Sequence, residues 1–273
     1  MDGTLLNSNH EVSNRFFELF EELKSRNILF VAASGRQYHS IVDKLEAIKN
    51  DIMVIAENGA LVKDQENELL VTPLGNNLRK ELLESVDAIN GAHAMLCGKY
   101  KAYFDGKSIP FLEELKEYYS SYEIHESLLG ISDEIVKIAV YHDLSAEDYV
   151  YPAMKRFNDK IIVKVSGQHW VDLNHAKANK GHALQQVQEH FGILKEETLV
   201  FGDYNNDLEM LQSAYYSFAM ENAHPNVKKV ANFSTESNDN FGVERILEKL
   251  LQQSSIKSSV SFSLQQEIRH YSK

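Results

Sequence analysis

Apolar residues recur along this chain with two different periods, and the changes of period mark out its elements. After Ser13, the positions Phe16, Leu19, Phe20 and Leu23 repeat at helical spacing on one face, with the Ser13 hydroxyl placed to cap the first turn. A helix is predicted there. Continuous apolar runs follow at residues 28–33, 52–56 and 199–201, each ending in polar residues or glycine. Such runs fit strands buried on both faces of a parallel sheet. Strands alternating with helical stretches imply right-handed crossovers, and so a doubly wound, Rossmann-like α/β core. Ligands in that architecture bind beyond the carboxyl ends of the strands. The polar clusters Ser34-Gly35-Arg36, Glu57-Asn58-Gly59 and Gly202-Asp203, which follow these runs, are therefore expected on one rim.

The middle of the chain reads differently. Residues 94–104 and 161–173 alternate as hairpins, with turns near Gly98-Lys99 and Ser166-Gly167, and helices are expected between them. Pro110 suits a first helical turn, and Ser145 with Asp148 resembles a capping box ahead of Val150, Met154 and Phe157. The predicted organisation is an α/β core from residues 1–76 and 177–253, an inserted α+β domain at 77–176, and a mobile tail rich in serine and glutamine at 254–273.

Composition narrows the classes of function. Asp and Glu number 40 against 28 Lys and Arg, a formal net charge of -12, which argues against nucleic acid as the main partner. The single cysteine, Cys97, excludes a disulfide framework or a cysteine zinc site within a monomer, and reads as a small buried residue. No run of eighteen apolar residues and no secretory pattern is present, so a cytoplasmic protein with no membrane partner is expected.

Four short segments carry candidate chemistry. Gly202-Asp203-Tyr204-Asn205-Asn206-Asp207 puts two carboxylates and two amides in one turn, a set of oxygen donors suited to magnesium, although both aspartates serve equally well as helix caps. Ser34-Gly35-Arg36 offers a hydroxyl and backbone N–H groups to a phosphate, or is a plain strand-to-helix turn. Lys180, just before an apolar helix face of Leu184, Val187 and Phe191, is either solvated or a neutraliser of phosphate charge. The opening Asp2-Gly3-Thr4, taken alone, is only a turn. His169, Trp170 and Asp172 lie on the second predicted hairpin, Trp170 and Asp172 on one face, where packing and substrate contact are both open.

Together and in this order, Asp2-Gly3-Thr4, Ser34-Gly35-Arg36, Lys180-Gly181 and Gly202-Asp203 with Asn206-Asp207 resemble the four motifs of the haloacid dehalogenase superfamily, specifically its Cof-type sugar phosphatases with a large cap. Ala56-Glu57-Asn58-Gly59-Ala60 agrees with the same pattern. The resemblance spans about residues 1 to 250 and implies Mg2+-dependent hydrolysis of small phosphomonoesters, hexose phosphates foremost, through an aspartyl-phosphate. It implies Asp2 as general acid/base with its carbonyl toward the metal, and Asp203 as a direct metal ligand. Asp207 and Asn206 then orient metal-bound water and the site, while Ser34, Gly35, Arg36, Asn58 and Lys180 hold the substrate. The family pattern also places a nucleophilic aspartate immediately before Met1, at the end of an apolar strand. Met1 is accordingly read as an internal methionine taken for a start, the alternatives being a truncated relic or a phosphometabolite-binding protein. A phosphosugar mutase of the same fold is the rival enzyme.

Overall fold

The computed structural model describes residues 1–65, 67–111, 115 and 119–253; the predicted tail at 254–273 lies outside the described residues. In chain order it carries helix α1 (Asn14–Ser25), strand β1 (Val31–Ala33), helix α2 (Tyr38–Lys44) and strands β2 (Met53–Ala56), β3 (Leu61–Asp64) and β4 (Asn67–Val71). Helix α3 (Asn76–Asp87) leads to β5 (Ala92–Gly98), β6 (Ala102–Asp105), β7 (Tyr122–His125) and β8 (Ile135–His142). Two single-turn helices, α4 (Ala146–Tyr149) and α5 (Tyr151–Met154), precede β9 (Ile161–Gly167) and β10 (Trp170–His175). The chain ends with α6 (Lys180–Phe191), β11 (Leu199–Gly202), α7 (Leu208–Gln212), β12 (Tyr216–Ala219), α8 (Pro225–Val230), β13 (Phe233–Ser234) and α9 (Gly242–Gln253). Its contacts group it into two compact units, one of residues 1–33, 44–53 and 180 onward, the other of residues 34–43 and 54–179.

In the first unit, Ser13 caps α1 as predicted, its hydroxyl accepting from the Phe16 N–H at 3.0 Å, and Phe16, Leu19, Phe20 and Leu23 are buried. Each such side chain contributes about 2 kcal/mol of hydrophobic stabilisation. The Ser13 hydroxyl also donates to Glu244 at 2.6 Å and Arg26 donates to the Leu251 carbonyl at 2.6 Å, which fixes α1 against α9. The apolar run at 28–33 becomes strand only at Val31. Asn27, at φ +56, ends α1 with the Asn27 N–H on Lys24 O and the Ile28 N–H on Leu23 O, both 3.0 Å, the paired bonds of a Schellman motif. Ile28 is thereby spent on terminating the helix and stays partly exposed. Strands β11, β12 and β13 pair in parallel around buried Phe218. Helix α6 buries Leu184 and Val187, whereas Phe191, predicted for the same face, is half exposed in its last turn.

In the second unit, β2, β3 and β4 are successive neighbours, and a six-stranded sheet runs in the order β7-β6-β5-β8-β10-β9. Both predicted hairpins form, β5 with β6 and β9 with β10, each antiparallel. The helices expected between them are present as α4 and α5, and beside them runs a strand that the sequence reading did not give, β8, which pairs antiparallel with β5 on one side and β10 on the other. All eight of its residues are buried, because apolar clusters cover both faces of the sheet there, and residues 137–141 are paired on both sides. Pro110 lies in a 3-10 turn, Gly106–Phe111, and not in the first turn of an α-helix. The Ser145 cap is present, with the Asp148 N–H on its hydroxyl at 3.2 Å. The pairing of β10 with β9 shifts register between Trp170 and Val171, whereas its pairing with β8 runs unbroken, and Trp170 packs on Tyr141 and Tyr119.

Cys97 is fully buried, 3.5 Å from the Tyr119 hydroxyl, and burial pushes its thiol pKa well above the ordinary value. Only a thiolate reacts readily with alkylating agents. Native protein is therefore expected to take up no iodoacetamide over an hour at pH 8, and one equivalent per chain in denaturant, read by intact mass.

Candidate active site

In the first unit the strand β11 ends at Gly202 and the chain turns through a 3-10 segment, Asn205–Asp207, into α7. Asp207 organises that turn. Its Oδ2 accepts the N–H groups of Asp203 at 3.0 Å and Tyr204 at 3.3 Å, and its Oδ1 accepts from Lys180 Nζ at 2.8 Å. Both side chains of this ion pair are about 5% exposed or less, so Lys180 is a buried charge with a partner and not a solvated lysine. Gly181 makes the approach possible: a Cβ at that position would stand 2.6 Å from both the carbonyl carbon and the Cβ of Glu209. Gly181→Ala is expected to destabilise the fold by about 1–3 kcal/mol through overpacking, measurable as a lower midpoint in urea with an unchanged slope.

Asp203 presents its carboxylate to the same cluster. Thr4 donates its hydroxyl to Asp203 Oδ1 at 2.5 Å, the Asp203 carbonyl accepts from the His224 N–H at 2.8 Å, and Asn222 donates to the Gly3 carbonyl at 2.7 Å. Segment 1–6 is thus tied to the loops that follow β11 and β12. The Met1 α-amino group lies within electrostatic reach of Lys180, Asp203 and Asp207. Burial and then the negative charge of Asp207 push the Asp203 carboxyl above its usual range. For Asp207 burial acts in the same upward direction but Lys180 and the Met1 amine outweigh it, and the carboxyl is held below the usual range.

The structure brings Asp203, Asp207, Lys180 and Thr4 together. The Asp2 carboxylate is 40% exposed, with Oδ1 3.3 Å from His10 Nδ1. Asn206 is half-buried in the turn between them. Among the described residues no group of three or more His, Cys, Asp or Glu side chains forms a metal cage. Magnesium does not require one, since it binds through one or two carboxylates and keeps waters and substrate oxygens as its other ligands. An all-oxygen donor set with a half-buried carboxylate whose ionisation is disfavoured by its acidic neighbour fits that ion, which would relieve the repulsion between Asp203 and Asp207.

In the second unit Ser34, Gly35, Arg36 and Asn58 come together. The Arg36 N–H donates to the Ser34 hydroxyl at 3.1 Å, the Asn58 N–H to the Ser34 carbonyl at 3.1 Å and the Glu57 N–H to the Arg36 carbonyl at 3.1 Å. Asn58 Nδ2 donates to Asp172 Oδ2 at 2.7 Å, which gives the buried Asp172 a partner. Sequence reasoning passed over Lys137, which pairs with Glu57 at 2.6 Å in this cluster. The signal was present, a lone lysine inside the apolar run of residues 135–141.

Comparison with known proteins agrees with this geometry. A family model described as haloacid dehalogenase-like hydrolase matches residues 1–247. The 5-amino-6-(5-phospho-D-ribitylamino)uracil phosphatase YbjI of Escherichia coli K12 is 31% identical over 254 residues, which cover 92% of this chain and 94% of that one. The HMP-PP phosphatase of Shigella boydii is 28% identical over 235 residues, covering 84% of this chain and 88% of its own. Among solved structures, SMU.1108c from Streptococcus mutans UA159 superposes with a TM-score of 0.84 at 28% identity, covering 92% of this chain and 97% of that one.

Proposed function

The chain belongs to the haloacid dehalogenase-like hydrolases, and on that premise we propose that it hydrolyses small phosphomonoesters with magnesium, sugar phosphates and phosphorylated sugar alcohols being the leading substrates. The observation that carries this reading is the buried Lys180–Asp207 pair set beside Asp203 and Thr4. Phosphoryl transfer needs positioning and positive charge on the transferring oxygens more than it needs covalent assistance. Lys180, fixed by Asp207, supplies one such charge from a rigid helix terminus. Magnesium, held by Asp203 with the Asp2 carbonyl, would add a Lewis acid for the phosphoryl oxygens. Ser34, Gly35 and Arg36 hold the phosphate through hydroxyl and N–H donors, and Asn58 and Asn206 hold or orient substrate. Asp2 is the acid that protonates the leaving alcohol and later the base that takes a proton from water. Residues 77–176 are assigned as the cap that sets substrate preference and excludes water. The sugar-alcohol preference draws support from the phosphorylated ribityl chain in the name of the Escherichia coli relative.

On the resemblance of Asp2-Gly3-Thr4 to the first family motif, the attacking carboxylate is expected two positions before Asp2. The test is phosphate release from a panel of sugar and sugar-alcohol phosphates, with magnesium or with EDTA, by the polypeptide from Met1 and by one extended upstream through a strand ending in aspartate. Magnesium-dependent release by the extended form is the expected result. Equal turnover by both forms removes the upstream nucleophile from the mechanism, and release by neither removes phosphatase chemistry. Transfer to a sugar isomer without released phosphate would make the protein a mutase.

A further inference from the structure

Within the apolar run of residues 135–141 in strand β8 stands one buried lysine, Lys137, whose side chain is 4% exposed. An ammonium group is brought into such a place only against a heavy desolvation cost, so its partners identify what it is for. Lys137 Nζ lies 2.6 Å from Glu57 Oε2 and donates a hydrogen bond to the Gly35 carbonyl at 2.9 Å. Asp172 stands behind Asn58 as a second buried carboxylate. Burial works against the Lys137 charge, but Asp172 and Glu57 outweigh it and keep the ammonium protonated.

Three successive carbonyls of the Ser34–Arg36 turn are thereby occupied. Asn58 N–H takes Ser34 O, Lys137 takes Gly35 O and Glu57 N–H takes Arg36 O. Holding those three carbonyls, with the Arg36 N–H on the Ser34 hydroxyl at 3.1 Å, fixes the conformation of the turn that is read as meeting the phosphate. Two of the three clamps are backbone groups of residues in positive-φ conformations, Glu57 at +51° and Asn58 at +58°, which non-glycine residues adopt only when their surroundings hold them there. Those surroundings include Lys137 on Glu57 Oε2, Asn174 Nδ2 on Glu57 O at 3.3 Å and Asp172 on Asn58. Gly35 admits no side chain, since a Cβ would stand 2.8 Å from Asn58 Oδ1.

We propose that Lys137 is a positioning residue for phosphate binding: from β8 it clamps the middle carbonyl of the Ser34–Arg36 turn and, through Glu57, the strained turn that clamps the other two. This rests on the reading of Ser34–Arg36 as the phosphate holder. The experiment is titration calorimetry of inorganic phosphate in the presence of magnesium, well below the unfolding temperature, on the full chain and on Ser34→Ala, Lys137→Met and the double variant. Lys137→Met is expected to weaken phosphate binding about tenfold, the loss of one charge-assisted positioning bond, and the double variant to lose less than the product of the two single losses. A merely structural lysine would lower the unfolding temperature and leave the phosphate Kd alone; that result, or fully multiplicative losses, overturns the proposal. If Ser34→Ala itself leaves the Kd unchanged, the phosphate-holder reading fails and the proposal fails with it. Should Lys137→Met not fold, Lys137→Met/Glu57→Gln removes the carboxylate paired with the lysine as well and is judged by the same outcomes.

Discussion

Asp203→Asn is expected to lower magnesium-dependent phosphate release about a thousandfold while raising the melting temperature of the metal-free protein. The two effects have one origin. The Asp203 carboxylate is half-buried beside Asp207, and its desolvation together with that like charge pushes its pKa up in the folded state. A carboxyl whose folded pKa exceeds its unfolded value binds its proton more tightly when folded, so its ionisation penalises the native state once the pH rises above the ordinary carboxylate range. The amide removes that penalty at neutral pH and keeps an oxygen to accept from Thr4, whose hydroxyl now donates to Asp203 Oδ1. What it cannot do is supply a negative oxygen to a hard dication. The stabilisation should fade as the pH falls below about 4, where wild type and variant are both neutral at this position. Thermal melts at pH 7 and pH 4, with phosphate release measured at pH 7, test the pair. A variant that melts lower at pH 7, or that keeps its magnesium-dependent turnover, would remove Asp203 from the role given to it.

Much of the fold is legible wherever one local signal decides the outcome. Ser13 ahead of Phe16, Leu19, Phe20 and Leu23 gives both the cap and the buried face of α1, because cap chemistry and the 3.6-residue period agree. The two hairpins follow from turn residues and alternation. Strand β8 was missed because a continuous apolar run is common to buried strands and buried helices, and only its neighbours on both sides settle the matter. The late start of β1 depends on Asn27 adopting positive φ, a choice made by the helix end and not by the apolar run itself. In the site, the order of the short motifs names Ser34, Lys180, Asp203 and Asp207. Their pairing is invisible in sequence: that Lys180 meets Asp207, and that Lys137 meets Glu57, depends on residues 27 and 80 positions apart becoming neighbours in space.

Lys180→Met should be the most damaging single change to stability in the first unit, costing about 3–5 kcal/mol, and should reduce turnover about a hundredfold or more. The methionine fills the space of the lysine stem but leaves Asp207 as a buried carboxylate with only two backbone N–H donors and with Asp203 close by. In the wild type Lys180 is the leading influence holding Asp207 below the usual carboxylate range against the effect of burial. A depressed folded pKa contributes stability that is present above the unfolded value, near 4, and is lost as the pH falls through the folded value. That contribution should shrink in Lys180→Met, so the variant should lose less stability than wild type on acidification. Adding Asp207→Asn should recover much of the lost stability, since the amide oxygen still accepts from the Asp203 and Tyr204 N–H groups and no charge is left unpaired. It should recover none of the turnover, because the positive charge aimed at the phosphoryl group remains absent. Urea unfolding at pH 7 and pH 4.5 on the two variants, beside phosphate release, separates the structural from the catalytic share of this lysine. Restored turnover in the stable double variant would show that Lys180 serves the fold alone.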